Sequence, residues 1–297
     1  MHFVDAHHHF WDLQHCNYPW LMKPGVQRFF GDPTPIQKNF LPADLLNESA
    51  DWQPAKSVHV QVGAIEEHSL RESQWLQGLA DQGISSTLPN AIVAFADLAA
   101  SNIELQLDLQ LRVPNVRGIR QILGRHADED RSTGSNALID NPAFRDGLGL
   151  LAEKNLSFDL QLIPGQYEAV YELCLSVPEL RMAICHCGSP WDQSPAGLAH
   201  WREGMRRFAE LPNCYCKVSG LGMFRPDWEL EDIRPLVEGV IELFGFDRVM
   251  FGSNFPVDKL YMSYGRIWSA YDELTSGLDS GSRQLLFAGN AERFYRI

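Results

Sequence analysis

The chain of 297 residues has no run approaching the ~20 continuous apolar residues of a membrane-spanning helix. No basic stretch leads into an apolar one near its start, so no secretion signal is expected. Positive charge is scarce: 25 Lys and Arg stand against 38 Asp and Glu, a formal net charge of −13. Nucleic acid and anionic membrane surfaces are therefore disfavoured as partners, since both would be repelled. A Gly-rich phosphate loop is missing, which argues against a nucleotide cofactor. A Gly-x-Ser-x-Gly elbow is missing too, which argues against a serine nucleophile. No low-complexity tract or linker splits the chain. Six cysteines are present. Cys185-x-Cys187 and Cys214-x-Cys216 have metal-like spacing, but they flank His186 and Tyr215 within apolar segments. They read as small apolar residues facing outer helices, and the chain as cytoplasmic with free thiols.

What is present is an ordinary globular composition, 45% hydrophobic and 21% charged. A short apolar strand, a polar turn and an amphipathic helical stretch recur along it. Strand patterns fall at residues 3–10, 57–63, 91–98, 116–122, 157–163, 181–188, 214–220 and 248–255. Helical patterns separate them. Strands alternating with helices imply right-handed parallel crossovers. Eight such units predict an α/β fold, a (β/α)8 TIM barrel forming one domain over residues 1–297. A doubly wound open sheet is the alternative, but it would carry a glycine-rich turn after its first strand. The segment at about 11–42, rich in Pro, Trp and Phe, is expected to form a lid or pocket wall over the barrel mouth.

Barrel chemistry sits at the C-terminal strand ends, so inward-facing polar residues there are the candidates. The first strand offers His7 and His9, which share a face because strand side chains alternate. Such a pair is half of a metal site or of an acid–base site. In Val58-His59-Val60-Gln61-Val62 the valines are expected against the helices, leaving His59 and Gln61 inside. Later strands offer Asp97, Arg120, Asp159 with Gln161, His186, Lys217 and Asn254. A set converging on one end points to a small-molecule site. Three histidines handle protons or a metal near neutral pH. Arg120 and Lys217 are suited to a substrate carboxylate or a developing oxyanion.

The block Asp5-Ala6-His7-His8-His9-Phe10-Trp11-Asp12, with Tyr18-Pro19-Trp20-Leu21 behind it, resembles the N-terminus of amidohydrolase-superfamily barrels of the amidohydrolase-2 type. More narrowly it resembles their sugar-lactonase and dicarboxylate-lactonase group. Val116-Arg117-Gly118-Ile119-Arg120, His186-Cys187-Gly188-Ser189-Pro190, Lys217-Val218-Ser219-Gly220-Leu221, Gly252-Ser253-Asn254-Phe255-Pro256 and Gly289-Asn290-Ala291-Glu292-Arg293-Phe294-Tyr295 are similar to further blocks in order. The resemblance implies that His7, His9 and His186 bind a divalent metal, zinc or manganese, or are the remnant of such a site. It implies an aspartate general base at the end of the eighth strand, where this chain has Asn254. Asn is neutral and binds metals weakly through oxygen alone. Gln161 likewise stands where many metal-bearing relatives have His. Neutral oxygens in place of carboxylate and imidazole weaken a zinc site.

The leading expectation is hydrolysis of a small anionic or polyhydroxy lactone, a sugar-acid or dicarboxylate lactone, by water attack on the ring carbonyl. His186, Asn254 and His59 are the candidate catalytic residues. Arg120, Lys217, Gln61, Gln161 and Trp11 are the candidate substrate contacts. The base is a metal-bound hydroxide or a free histidine, unless Asp258, four residues past Asn254, folds back to replace the missing carboxylate. A decarboxylase of an aromatic or unsaturated acid, and a ligand-binding barrel that has lost its base, are the alternatives. Oligomeric state is left open, with a homo-oligomer allowed.

Overall fold

Each of the eight strand patterns coincides with one short parallel strand, the second beginning one residue before its pattern. The structure, a computed structural model, describes residues 2–49, 51–83, 88–126 and 136–297. The strands are β1 (Val4–His8), β2 (Lys56–Val60), β3 (Ala91–Ala94), β4 (Val116–Ile119), β5 (Ser157–Leu160), β6 (Met182–Ile184), β7 (Cys214–Val218) and β8 (Val249–Phe251). They pair in chain order. Backbone bonds from Asn254 N–H to His7 O and from His9 N–H to Phe255 O, each 2.7 Å, join the two ends of the sheet. This is a TIM barrel. The observed strands stop short of the predicted segments because the residues beyond them leave the ladder to build the mouth.

Helices separate the strands as expected, and the starts of two of them are written in the sequence. Asn141 caps Pro142–Glu153 through the Ala143 N–H, and Ser194 caps Pro195–Ala209 through the Gly197 N–H. Both combine an oxygen-bearing cap with proline in the first turn. The Leu230–Phe244 helix buries Ile233, Leu236, Val237, Val240 and Phe244, the stripe that packs on the barrel. No helix of the described residues is long and apolar enough to cross a membrane.

The lower barrel interior is filled by small apolar side chains. Val4 and Ala6 of β1, Val58 and Val60 of β2, Ala91 and Val93 of β3, Ala183 of β6 and Met250 of β8 form one buried cluster with Phe294 and Tyr295. Only the inside of a barrel brings β3 and β6 together. The valines of β2 therefore face inward, and His59 faces the other way, the reverse of the sequence expectation. An isolated sheet face seeks helices, but a barrel's interior is itself a core that branched and small residues fill.

Two local irregularities decide which side chains reach the mouth. The β1–β2 register shifts between Asp5 and His8. Ala6 and His7 then both serve the interior, His8 turns outward to Ser57, and His9 returns inward. After β6 the backbone at His186 and Cys187 enters the left-handed region, with φ of 55° and 52°. Cys185 lies beside His7 and Asp159 inside the barrel, contrary to its expected outward placement. Cys187, Cys214 and Cys216 pack in the outer core as expected. All six cysteines are free and buried.

Candidate active site

The C-terminal barrel mouth opens into a cavity of about 280 Å³. His9, Arg120, Gln161, His186 and Asn254 line it, each from a different strand end. Trp20, Arg28, Phe29 and Phe30 cover it from the loop after β1, whose two ends are tied by a Trp11–Phe40 bridge. Arg28 lies over the Trp20 and Phe30 rings at 5.7 and 5.9 Å. Arg125 adds a third guanidinium, and no Asp or Glu lines the cavity among the described residues. Three guanidinium groups thus line one cavity in a chain whose net charge is −13.

Each lining side chain is held by a neighbour. Arg120 donates to the Gln61 carbonyl and, at 3.3 Å, to Gln161 Oε1. His9 places Nδ1 2.6 Å from the Val60 carbonyl oxygen, and His186 places Nδ1 2.9 Å from Ser219 Oγ. Gly220 leaves His186 its space, since a β-carbon there would lie 2.5 Å from Nδ1. Burial pushes His9 down to about 3, and burial followed by Arg120 holds His186 well below the usual imidazole range. Both rings are neutral at pH 7. Asn254, in the left-handed region, sets Oδ1 3.3 Å from His9 Nε2. Its Nδ2 donates to Asp258 at 3.1 Å.

Other predicted residues sit elsewhere. His7 lies beneath the cavity floor with its ring 4.5 Å from that of His186. Lys217 is also below, enclosed and paired with Asp159, whose oxygens further accept from Tyr295 Oη at 3.0 and 3.1 Å. Lys217 is committed to this pair rather than to the cavity. Gln61 supports Arg120 from behind through its carbonyl. Trp11 is buried, donates to the Lys38 carbonyl and stands edge-on to Trp20. His59 accepts from the Phe10 N–H outside the interior, so it is not brought to the cavity. Arg28, Arg125 and Phe30 were not anticipated. They sit in aperiodic loops, where only the density of aromatic residues hinted at a wall.

Among the described residues, the trio of His, Cys, Asp or Glu whose ligand atoms lie within 4.8 Å of one another is His7, Asp159 and Cys185. It is not the His7–His9–His186 set expected from the sequence. The trio suits a cation poorly: Asp159 is occupied by Lys217 and Tyr295, and burial pushes the Cys185 thiol up to about 11. By donor chemistry the neutral imidazoles suit a divalent ion better. Both His7 ring nitrogens are buried without a hydrogen-bond partner, and a bound ion would satisfy the one that carries the lone pair.

The family model described as amidohydrolase matches residues 4–297. The chain belongs to the amidohydrolase family. A Sinorhizobium fredii protein named only as uncharacterized is 39% identical over 295 residues, covering 99% of this chain and 98% of that one. A Burkholderia ambifaria L-fucono-1,5-lactonase is 29% identical over 299 residues, covering 99% and 95%. Among solved structures, a Burkholderia multivorans amidohydrolase with bound zinc superimposes at a TM-score of 0.84, with 26% identity and full coverage of both chains.

Proposed function

We propose that this amidohydrolase hydrolyses a small lactone that carries a carboxylate. The observation that carries the anionic part is the cavity lining, in which Arg28, Arg120 and Arg125 appear and, among the described residues, no acid does. A neutral sugar lactone needs hydroxyl-binding acceptors, whereas guanidinium groups match carboxylates in bidentate fashion. The likeness to lactonases over nearly the whole chain supports the ring-opening chemistry.

Arg120 is held by the Gln61 carbonyl from behind and by Gln161 beside it, so its charge is preorganised rather than mobile. It stabilises the oxyanion that develops as water attacks the ring carbonyl. His186, in the neutral tautomer whose Nδ1–H donates to Ser219 Oγ, takes the water's proton on Nε2 and returns it to the ring oxygen as the acyl C–O bond breaks. Arg28 and Arg125 take the substrate carboxylate. Trp20, Phe29 and Phe30 shield the reacting carbonyl from bulk water. His7, His9 and Asn254 are the residues that would hold a divalent ion, zinc or manganese. Such an ion, when bound, polarises a carbonyl and acidifies water.

A proton-release assay on a lactone panel tests this. Carboxylated lactones should exceed neutral aldonolactones in kcat/KM by about 10-fold or more, the value of one charge-assisted contact. Arg120→Met should remove most turnover, while Arg28→Met should mainly raise KM for the carboxylated members. A preference for neutral lactones would overturn the anionic assignment, and no turnover of any lactone would overturn the reaction.

A further inference from the structure

Asn254 stands between two groups that together fix which way its amide points. On one side, Nδ2 donates to Asp258 Oδ1 at 3.1 Å. The Asp258 N–H bonds back to the Asn254 carbonyl at 3.2 Å, a single turn that sets the carboxylate beside the amide. The Gly222 N–H approaches the other Asp258 oxygen at 3.4 Å. Asp258 is 2% exposed, and no cationic side chain pairs with it among the described residues. A carboxylate buried without a counter-ion is costly, which calls for a reason.

On the other side is His9. Its Nδ1 lies 2.6 Å from a carbonyl oxygen, which only accepts, so Nδ1 carries the proton. The neutral ring then has a bare lone pair on Nε2, and Asn254 Oδ1 faces it at 3.3 Å. Two acceptors in that position repel. A free amide would turn over and give Nε2 an N–H instead, since the two orientations fill the same space. Asp258 prevents this, because its Oδ1 accepts the N–H₂ at 3.1 Å and holds it on that side.

We propose that Asp258 is a positioning residue that holds the Asn254 carbonyl oxygen toward His9 Nε2, so that these two acceptors form one side of a divalent-cation seat. The carboxylate of the site is thereby moved one turn along the chain and acts through a neutral oxygen. Nδ1 bonded to a backbone carbonyl is also how metal-binding imidazoles are oriented. The inference takes from the proposed reaction only the use to which the cation is put.

Zinc and cobalt(II) titrations of metal-stripped protein against a chromophoric chelator test it without reference to turnover. They are run at pH 8. Wild type should bind one ion. Asp258→Asn should weaken zinc by about 10- to 100-fold, the usual effect of losing an orienting partner, and alter the cobalt absorption spectrum. The double exchange Asn254→Asp with Asp258→Asn keeps the same hydrogen-bonded pair with its roles reversed. It should bind zinc at least as tightly as wild type, and it decides the matter if the single variant does not fold. Undiminished zinc affinity in Asp258→Asn, weaker binding in the double exchange, or no binding by wild type would each overturn the proposal. Zinc binding as described with no lactone turned over would defeat only the proposed reaction.

Discussion

Gly252 has no room for a side chain because His7 stands against it. A β-carbon there would fall 2.7 Å from the His7 β-carbon and 2.8 Å from its backbone nitrogen. The end of β8 and the middle of β1 are thus fitted to each other at backbone level, one residue below the cavity floor.

Gly252→Ala should therefore act on the site from beneath. Relief requires a shift of the β1 backbone, which carries His7 and His9 with it. Overpacking of this kind costs about 1–3 kcal/mol, and small displacements of reacting groups cost far more in rate than in stability. The expected result is a folded protein with a lowered urea midpoint and a drop of at least ~10-fold in kcat. Wild-type kinetics in this variant would show that His7 does not need its place.

Lys217 and Asp159 give a prediction of opposite kind. Their ion pair is fully enclosed, so removing one partner leaves a buried uncompensated charge. Lys217→Met should destabilise by about 3–5 kcal/mol in urea unfolding. Adding Asp159→Leu should recover much of that loss, since an apolar pair of similar volume avoids the desolvation. A Lys217→Met variant of normal stability but raised KM would instead restore Lys217 to the substrate.

Glu72 predicts a pH dependence of stability. It is 2% exposed on the Ser69–Gln82 helix and accepts from the Val62 N–H at 3.4 Å. Burial raises its carboxyl from 4.5 to about 7. Between those values the folded chain keeps a proton that the unfolded chain has released. Its contribution to stability therefore falls as pH climbs from 4.5 to about 7 and stays low above that. The change is on the order of 3 kcal/mol. Glu72→Gln should gain stability over wild type at pH 8 but not at pH 4.5. Equal urea midpoints for the two proteins at both pH values would refute the assignment.

The elements were legible because their signals are local. Alternation in Ser157–Leu160 and the Asn141–Pro142 start of a helix depend on near neighbours alone. Arg120, Gln161, His186, His9 and Asn254 were found for the same reason, as polar residues at strand ends. Facing was less legible. Period two separates His59 from Val58 and Val60 but does not say which side is inside, and in a barrel both sides are core. Depth was also hidden. Lys217 and His186 are alike in sequence as inward polar residues, yet Lys217 lies a layer below, where Asp159 consumes it. The Asn254–Asp258 link was visible as a four-residue spacing, but only the turn at Asn254 brings the carboxylate to the amide.

The bridge between Trp11 and Phe40 has a bearing on how this barrel diversifies. It pins the cavity cover at its base, so the intervening residues begin and end at one fixed point on the rim. Loop length carries only a weak entropic penalty when the ends are held. The cover, with Trp20, Arg28 and Phe30, is thus an exchangeable cartridge. Swapping it between barrels would change what is admitted while leaving untouched the histidines and the arginine that sit on the strands below.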